Sequence, residues 1–289
     1  MAYKLVTDAT SDLPVSLAKD LGLDVISMEY TLNEKPHIYS LGGGDQTTAE
    51  FYGAMREGAS VITSQINAYT FTTAFEKHLQ EGLDVIYIGF SSALSGTVGS
   101  ARIAQAELLE KYPERRIAVV DSLGASMGQG LFVYYACRKQ DLSFDDMVNW
   151  LESSKVNFVH WFTVDDLEYL KRGGRVSGAT AAIATVLKIK PVMHVDMEGR
   201  LVAVEKVQGR KKSLKALVDH MVQSVDKEKT DTVFIGHCDS IQDAELVADQ
   251  VRERVGIDNI VIDDIGVMVG AHSGPGTVAL FFYGKRLEG

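Results

Sequence analysis

Seven consecutive residues, Ser91-Ser92-Ala93-Leu94-Ser95-Gly96-Thr97, carry four hydroxyls and a glycine. The apolar run from Asp84 to Phe90 ahead of them reads as a buried strand, and Val98 to Tyr112 behind them as a helix. A strand-to-helix turn collects unpaired backbone N–H groups and the positive end of the helix dipole, and hydroxyls add neutral donors. No lysine stands in the turn to supply a point charge. Such a turn suits one oxygen-rich, anionic head group.

Three further segments place hydroxyls where a strand gives way to a loop: Thr7-Asp8-Ala9-Thr10-Ser11-Asp12, Thr63-Ser64-Gln65 and Val120-Asp121-Ser122. Ser, Thr and Asp cap helices and make turns throughout proteins, so each segment alone has a plain structural reading. In open parallel sheets ligands lie beyond the carboxyl ends of the strands, and all four segments are expected on one rim of one sheet. A nucleophilic serine is the rival reading. The hydrolase elbow is Gly-x-Ser-x-Gly, and Ala93-Leu94-Ser95-Gly96 lacks the first glycine. His272, in the Gly270–Gly276 stretch read as a flexible glycine-rich loop, would be its base, with Asp8 or Asp121 to orient it.

The other histidines show no zinc-ligand spacing, and no metal is expected. Gly42-Gly43-Gly44 lacks the Lys-Ser/Thr of a phosphate loop, and no strand–Gly-x-Gly-x-x-Gly–helix fingerprint occurs, so neither ATP nor NAD is expected as a cofactor. A net charge of −10 over 289 residues argues against nucleic acid as a partner. The charge is uneven: Asp166 to Lys215 holds eleven Lys and Arg against five Asp and Glu, densest at Lys206, Arg210, Lys211, Lys212 and Lys215. This is either a solvated helix start or a docking patch for an acidic partner. Lys171-Arg172-Gly173-Gly174-Arg175-Val176-Ser177 reads as a helix C-cap with cations at the negative end of the dipole, which leaves Arg175 beyond the cap unexplained. No apolar stretch is long enough to span a bilayer, Met1–Val6 shows no signal-peptide layout, and Cys137 and Cys238 are lone thiols. A cytoplasmic, non-membrane-spanning protein is expected, with at most transient membrane contact.

The elements that must hold these residues alternate. Short apolar strands at Lys4–Thr7, Val25–Met28, Asp84–Phe90 and Ile117–Asp121 are separated by helices, among them one behind the capping box Thr47-Thr48-Ala49-Glu50. The pattern predicts an α/β fold with a parallel sheet covered on both faces. Beyond a boundary near residue 155 the pattern changes. Lys190–Val195 and Arg200–Val207 flank the hairpin signal Asp196-Met197-Glu198-Gly199, so residues 156–289 are expected to form a mixed-sheet α/β domain after a 1–155 domain.

Taken together, these segments resemble the DegV family of bacterial fatty-acid-binding proteins over nearly the whole chain. The landmarks are Thr7–Asp12, Thr63-Ser64-Gln65, Ser91–Thr97, Val120-Asp121-Ser122, Asp166–Leu170 running into Gly173-Gly174-Arg175, Lys190-Pro191 and Gly274-Pro275-Gly276-Thr277. The resemblance implies a Rossmann-like N-terminal domain joined to an α/β C-terminal domain, with one long-chain fatty acid such as palmitate, stearate or oleate in a buried tunnel. It implies that Thr63, Ser95 and His272 hold the carboxyl group. Arg175 is expected near the head group, and Ser64, Ser92, Gly96 and Thr97 in support. Some members serve as the lipid-presenting, non-catalytic subunit of a bacterial fatty acid kinase, which would make Lys206, Arg210 and Lys211 a surface facing the kinase catalytic subunit. The chain departs from the family pattern at Ile66, Val98 and the Tyr39–Asp45 loop. A serine acyl hydrolase or transferase using Ser95 and His272, and a sensor of a small polar metabolite, are the alternatives.

Overall fold

The computed structural model describes residues 2–176 and 189–287. Ser177, at the end of the Lys171–Ser177 motif, lies outside them. Four strands make a wholly parallel sheet: β1 (Tyr3–Asp8), β2 (Asp24–Ile26), β6 (Asp84–Gly89) and β7 (Ile117–Asp121), in the order β2-β1-β6-β7. Every residue of β6 is buried, as expected of an interior parallel strand covered on both faces. Helices α3 (Ala68–Gln80), α4 (Thr97–Lys111), α5 (Met127–Cys137) and α6 (Phe144–Ser154) accompany this sheet. On α3, Phe71, Phe75 and Leu79 recur at helical spacing and are buried; Phe71 and Phe75 pack on Tyr87 of β6 at ring-centroid distances of 4.9 and 5.8 Å.

A second, small sheet was not foreseen. β3 (Met28–Leu32) pairs antiparallel with both β4 (Lys35–Tyr39) and β5 (Val61–Thr63). The two-residue turn between β3 and β4 is Asn33-Glu34, both in the left-handed region at φ 47° and 67°. With no glycine there, the hairpin signal is weak. Helix α2 (Thr48–Arg56) covers the sheet, opened by the predicted capping box: Glu50 N–H donates to Thr47 Oγ1 at 3.2 Å and Thr47 N–H to Glu50 Oε2 at 2.9 Å.

The later residues build a six-stranded mixed sheet. It contains β8 (Phe158–Thr163), β9 (Ile189–Val195), β10 (Leu201–Gln208), β11 (Val233–His237), β12 (Ile260–Asp264) and β13 (Val278–Tyr283), in the order β10-β9-β8-β13-β11-β12. Only β11 and β12 run parallel; β9–β10 is the predicted hairpin. Alternate residues of this sheet face two different cores. Trp161, Leu280 and Phe282 face a layer closed by the helices Arg210–Ser224 and Ile241–Val255, while Phe162, Ala279 and Phe281 join the core shared with the parallel-sheet part. The two parts are stitched at the Asp196–Gly199 turn. Ser91 Oγ donates to Gly199 O at 2.8 Å, and buried Arg286 donates to the carbonyls of Leu123, at 2.7 Å, and Asp196, at 3.1 Å.

Candidate functional site

Thr63 is the last residue of β5, paired in register with Tyr30. The parallel sheet therefore supplies three of the four expected hydroxyl-bearing ends, and the small antiparallel sheet supplies the fourth. His272 differs from expectation too. It lies in the last turn of a short helix, Val267–Ser273, rather than in a flexible loop. Two glycines one turn apart allow that helix to sit close to the small sheet and α2. A Cβ on Gly266 would overlap the Tyr39 hydroxyl, and one on Gly270 the Tyr52 hydroxyl. Tyr52 OH then donates to Ile265 O at 2.5 Å at the helix entrance. Glycine is read from sequence as a helix breaker; here its missing side chain admits two tyrosines. The seated helix brings His272 Nε2 to 2.8 Å from Thr63 Oγ1.

The serine-rich turn divides its hydroxyls. Ser91 is buried and spends its proton on Gly199 O. Ser95 N–H donates to Ser91 O at 3.1 Å, which curls the turn, and Ser95 lines the same cavity as the Thr63–His272 pair. Thr97, the first residue of α4, is buried with its Oγ1 at 3.0 Å from Ser95 Oγ and its N–H donating to that same oxygen at 3.3 Å. Thr97 thus orients Ser95. Ser92 is exposed and turned away, its N–H donating to Asp121 Oδ1 at 3.2 Å. The same carboxylate accepts from Leu123 N–H at 3.0 Å, so Asp121 ties two loops together.

Thr63, Ser95 and His272 line a cavity of about 350 Å³ at the junction of the two parts. One end is polar and reaches solvent: Thr63, Ser95, Arg175 and His272 line it, with Ser64, Gln65 and Gly96 exposed at its rim. Inward the walls become mainly apolar. Met28, Phe90 and Leu94 come from the first part, and Phe162, Met268 and Phe281 from the second, the last three no more than 8% exposed. Phe281 and Met268 look like ordinary core in sequence, and nothing there separates a cavity wall from a packed interior.

Electrostatics at the mouth favour a single anion. Burial, reinforced by the nearby Arg175 charge, pulls the His272 imidazole down to about 4, so it is neutral at pH 7. Arg175 donates from Nε to Leu94 O at 3.2 Å and from Nη1 to Gly173 O. Its guanidinium bridges the residue before Ser95 and the glycine that packs against His272 Nδ1, where a Cβ would overlap the ring. The beyond-the-cap arginine left over by the helix-end reading is therefore part of the mouth. The arrangement does not assemble a hydrolytic triad among the described residues. His272 pairs with Thr63, its Nδ1 faces Gly173, and Asp8 and Asp121 are engaged by Thr10 and Tyr87, and by Ser92 and Leu123.

Away from the mouth, Lys206 on the edge strand β10 and Lys211 are exposed. Arg210 is turned inward. Its Nε donates to Asp243 Oδ2 at 2.7 Å and its Nη2 to Gly276 O at 2.6 Å, so it fixes the turn before β13 and contributes little to a basic surface. Among the described residues no group of His, Cys, Asp and Glu is placed to hold a metal ion, and no helix is long and apolar enough to cross a membrane. Sequence reasoning missed His160 and Ser126, which line the inner cavity. Ser126 adopts φ 53°, a conformation no local residue pattern announces.

A two-part α/β protein with an apolar cavity at the junction and a hydroxyl, imidazole and guanidinium mouth is the class that fold and site define. The family model described as "Uncharacterised protein, DegV family" matches residues 2–285, and the chain belongs to the DegV family. A DegV domain-containing protein of Clostridium perfringens is 42% identical over 288 residues, 99% of each chain. Among solved structures, a DegV family protein from Thermus thermophilus described by its fatty acid binding superposes with a TM-score of 0.86 at 29% identity, covering 98% of this chain and 100% of the other. A fatty acid binding DegV family protein from Streptococcus agalactiae gives a TM-score of 0.83 at 26% identity, with 99% and 100% covered.

Proposed function

We propose that this protein binds one long-chain fatty acid, such as palmitate, stearate or oleate, with the acyl chain in the junction cavity and the carboxyl group at its mouth. The observation that carries this reading is the polarity of the cavity: apolar walls run from the Phe162–Phe281 face to an opening lined by Thr63, Ser95, Arg175 and His272. The relatives described as fatty acid binding share the fold over nearly their full lengths. Burying about fourteen methylenes contributes on the order of 11 kcal/mol before the costs of association, whereas each neutral head-group hydrogen bond adds roughly 0.5–1.5 kcal/mol. The tail sets affinity. Thr63, Ser95 and His272 set orientation and spare the carboxyl group an unpaired burial.

In this reading the 1–155 and 156–289 parts close on the lipid, and the protein is a non-catalytic, cytoplasmic carrier that presents the carboxyl group to the catalytic subunit of a fatty acid kinase. Support for the kinase partner is the family resemblance together with the exposed Lys206 and Lys211; Arg210 acts by holding the adjoining turn. Denaturing extraction and mass analysis of the purified protein tests the lipid reading. A C14 to C18 acid at about one per chain is expected. A polar metabolite in its place, or stoichiometric fluorophosphonate labelling of Ser95, would overturn it.

A further inference from the structure

The inner wall of the cavity is not wholly apolar. Thr10, Ser126, His160, Ser273 and Thr277 line it, each no more than 6% exposed. A saturated chain asks for none of these groups. Their hydrogen bonds show what they have left to offer. His160 is fully engaged: Nδ1 lies 2.8 Å from Phe158 O, and Nε2 accepts from Ala125 N–H at 3.1 Å. Because a carbonyl only accepts and a backbone N–H only donates, the proton sits on Nδ1 and no ring donor faces the cavity.

Three of the four hydroxyls are committed in the same sense, while Ser273 Oγ shares a 3.4 Å contact with Cys238 Sγ in which either atom can donate. Thr10 Oγ1 has its proton held between Asp8 Oδ1 and Gln129 Oε1, the latter at 3.0 Å. Gln129 is oriented independently, since its Nε2 donates to Thr7 Oγ1 at 3.1 Å and to Ile88 O at 3.4 Å. Ser126 Oγ donates to Asp12 Oδ2 at 2.6 Å when that carboxyl is ionised. Thr277 Oγ1 lies 2.9 Å from Ser273 O and 2.9 Å from Gly274 O, both acceptors. A hydroxyl has one proton and two lone pairs. With Asp12 ionised, Thr10, Ser126 and Thr277 have given their protons to the protein and keep acceptor capacity in a buried wall.

The two ends of the cavity are therefore complementary to different groups. Donors at the mouth match a carboxylate, which only accepts; acceptors at the inner wall match a group that donates. Resting on the fatty-acid reading of the same site, we propose that the cavity takes hydroxylated long-chain fatty acids, with the chain hydroxyl donating to Thr10 or Ser126. The same logic disfavours a second carboxylate on the inner end of the chain.

The test is competition of stearic acid and a positional series of monohydroxystearic acids against a fluorescent fatty acid, on the intact, delipidated protein at about pH 9, where the Asp12 carboxyl is ionised. Hydroxyls that find no acceptor should weaken binding roughly tenfold relative to stearic acid. At least one positional isomer is expected to bind as tightly as stearic acid or more tightly. Ser126→Gly suits the φ of 53°, and Thr10→Val keeps the side-chain shape. One of the two should lower the affinity of the favoured isomer about tenfold more than it changes that of stearic acid. If every isomer is about tenfold weaker than stearic acid, or the preference survives both variants, this inference is wrong and the carrier reading stands. If stearic acid does not bind either, both fail.

Discussion

Thr63 and His272 are 209 residues apart in the chain, and their Oγ1 and Nε2 atoms lie 2.8 Å apart at the mouth of the cavity. One belongs to a three-stranded sheet and the other to a short helix of the second part, so the contact exists only when both parts are docked. Thr63→Val keeps the shape and removes the hydroxyl. It is expected to weaken palmitate binding a few-fold to about tenfold, the range of one or two neutral hydrogen bonds, without abolishing it. Ser95→Ala should behave alike and also reduce phosphorylation of the bound acid by a kinase catalytic subunit. Equilibrium binding with a fluorescent fatty acid reads the first effect, and acyl-phosphate formation the second. Complete loss of lipid from a folded Ser95→Ala protein would show that the head group, not the tail, dominates affinity.

Gly173→Ala separates backbone from contact. Gly173 has φ −70° and ψ −13°, which alanine adopts readily, so the backbone gives no reason for glycine. The obstacle is His272 Nδ1, which a Cβ would overlap. Gly96→Ala is the matched control. Its φ of −74° is equally permissive, but the colliding atom is the end of the flexible, exposed Gln65 side chain. Gly173→Ala should lower fatty acid affinity at least as much as Thr63→Val, with less than about 1 kcal/mol change in unfolding free energy. Gly96→Ala should stay near wild type. Equal effects of the two would mean that the imidazole position does not matter.

The contrast between these glycines indicates what is legible in the sequence. Patterns set by local chemistry came through: the Thr47–Glu50 capping box, the buried β6 strand and the β9–β10 hairpin all stand where periodicity and turn residues put them. The convergence of Thr63, Ser95 and His272 could be proposed only from a resemblance, because nothing within a few residues of each specifies the other two. The rest depended on non-local packing. The helix at Val267–Ser273 reads as a loop because Gly266, Gly270 and Gly274 depress helix propensity, and it packs where it does because Gly266 and Gly270 leave room for Tyr39 and Tyr52. Arg210 looks like part of a solvated basic run until Asp243 and Gly276 are folded onto it.

Buried titratable groups make stability depend on pH in two opposed ways. His272 is pulled down to about 4 from an ordinary 6.5, so the unfolded chain takes up its proton first. Its contribution is complete above pH 6.5 and is lost as pH falls toward 4. Asp12 lies wholly buried among Ser126, Tyr39 and the Gly266 N–H, and burial pushes its carboxyl up to about 8 from 3.8. The folded state then holds a proton that the unfolded state releases, so this contribution is complete below pH 3.8 and is lost as pH rises toward 8. Asp12→Asn removes the second dependence and tolerates the left-handed backbone at φ 47°. In urea unfolding at several values between pH 5 and 8, wild type should lose stability relative to Asp12→Asn as pH rises. A flat difference would place the Asp12 proton elsewhere.

Ala279 offers a way to shorten the cavity without touching its mouth. It lies on β13 in register with Phe162 of β8, and both line the wall facing the first part. Ala279→Phe would project a ring into the path of the acyl chain while Thr63, Ser95 and His272 stay in place. Each methylene kept out forfeits about 0.8 kcal/mol, about fourfold in affinity. Stearic acid should therefore lose tens-fold in binding, palmitic acid less, and decanoic acid least, because a short chain ends before the obstruction. Phe281→Ala, on the same face of the same strand, should do the reverse and shift preference toward longer or bulkier chains. If Ala279→Phe weakens all chain lengths by one common factor, the ring has disturbed the mouth or the docking of the two parts, and the acyl chain does not run along this wall.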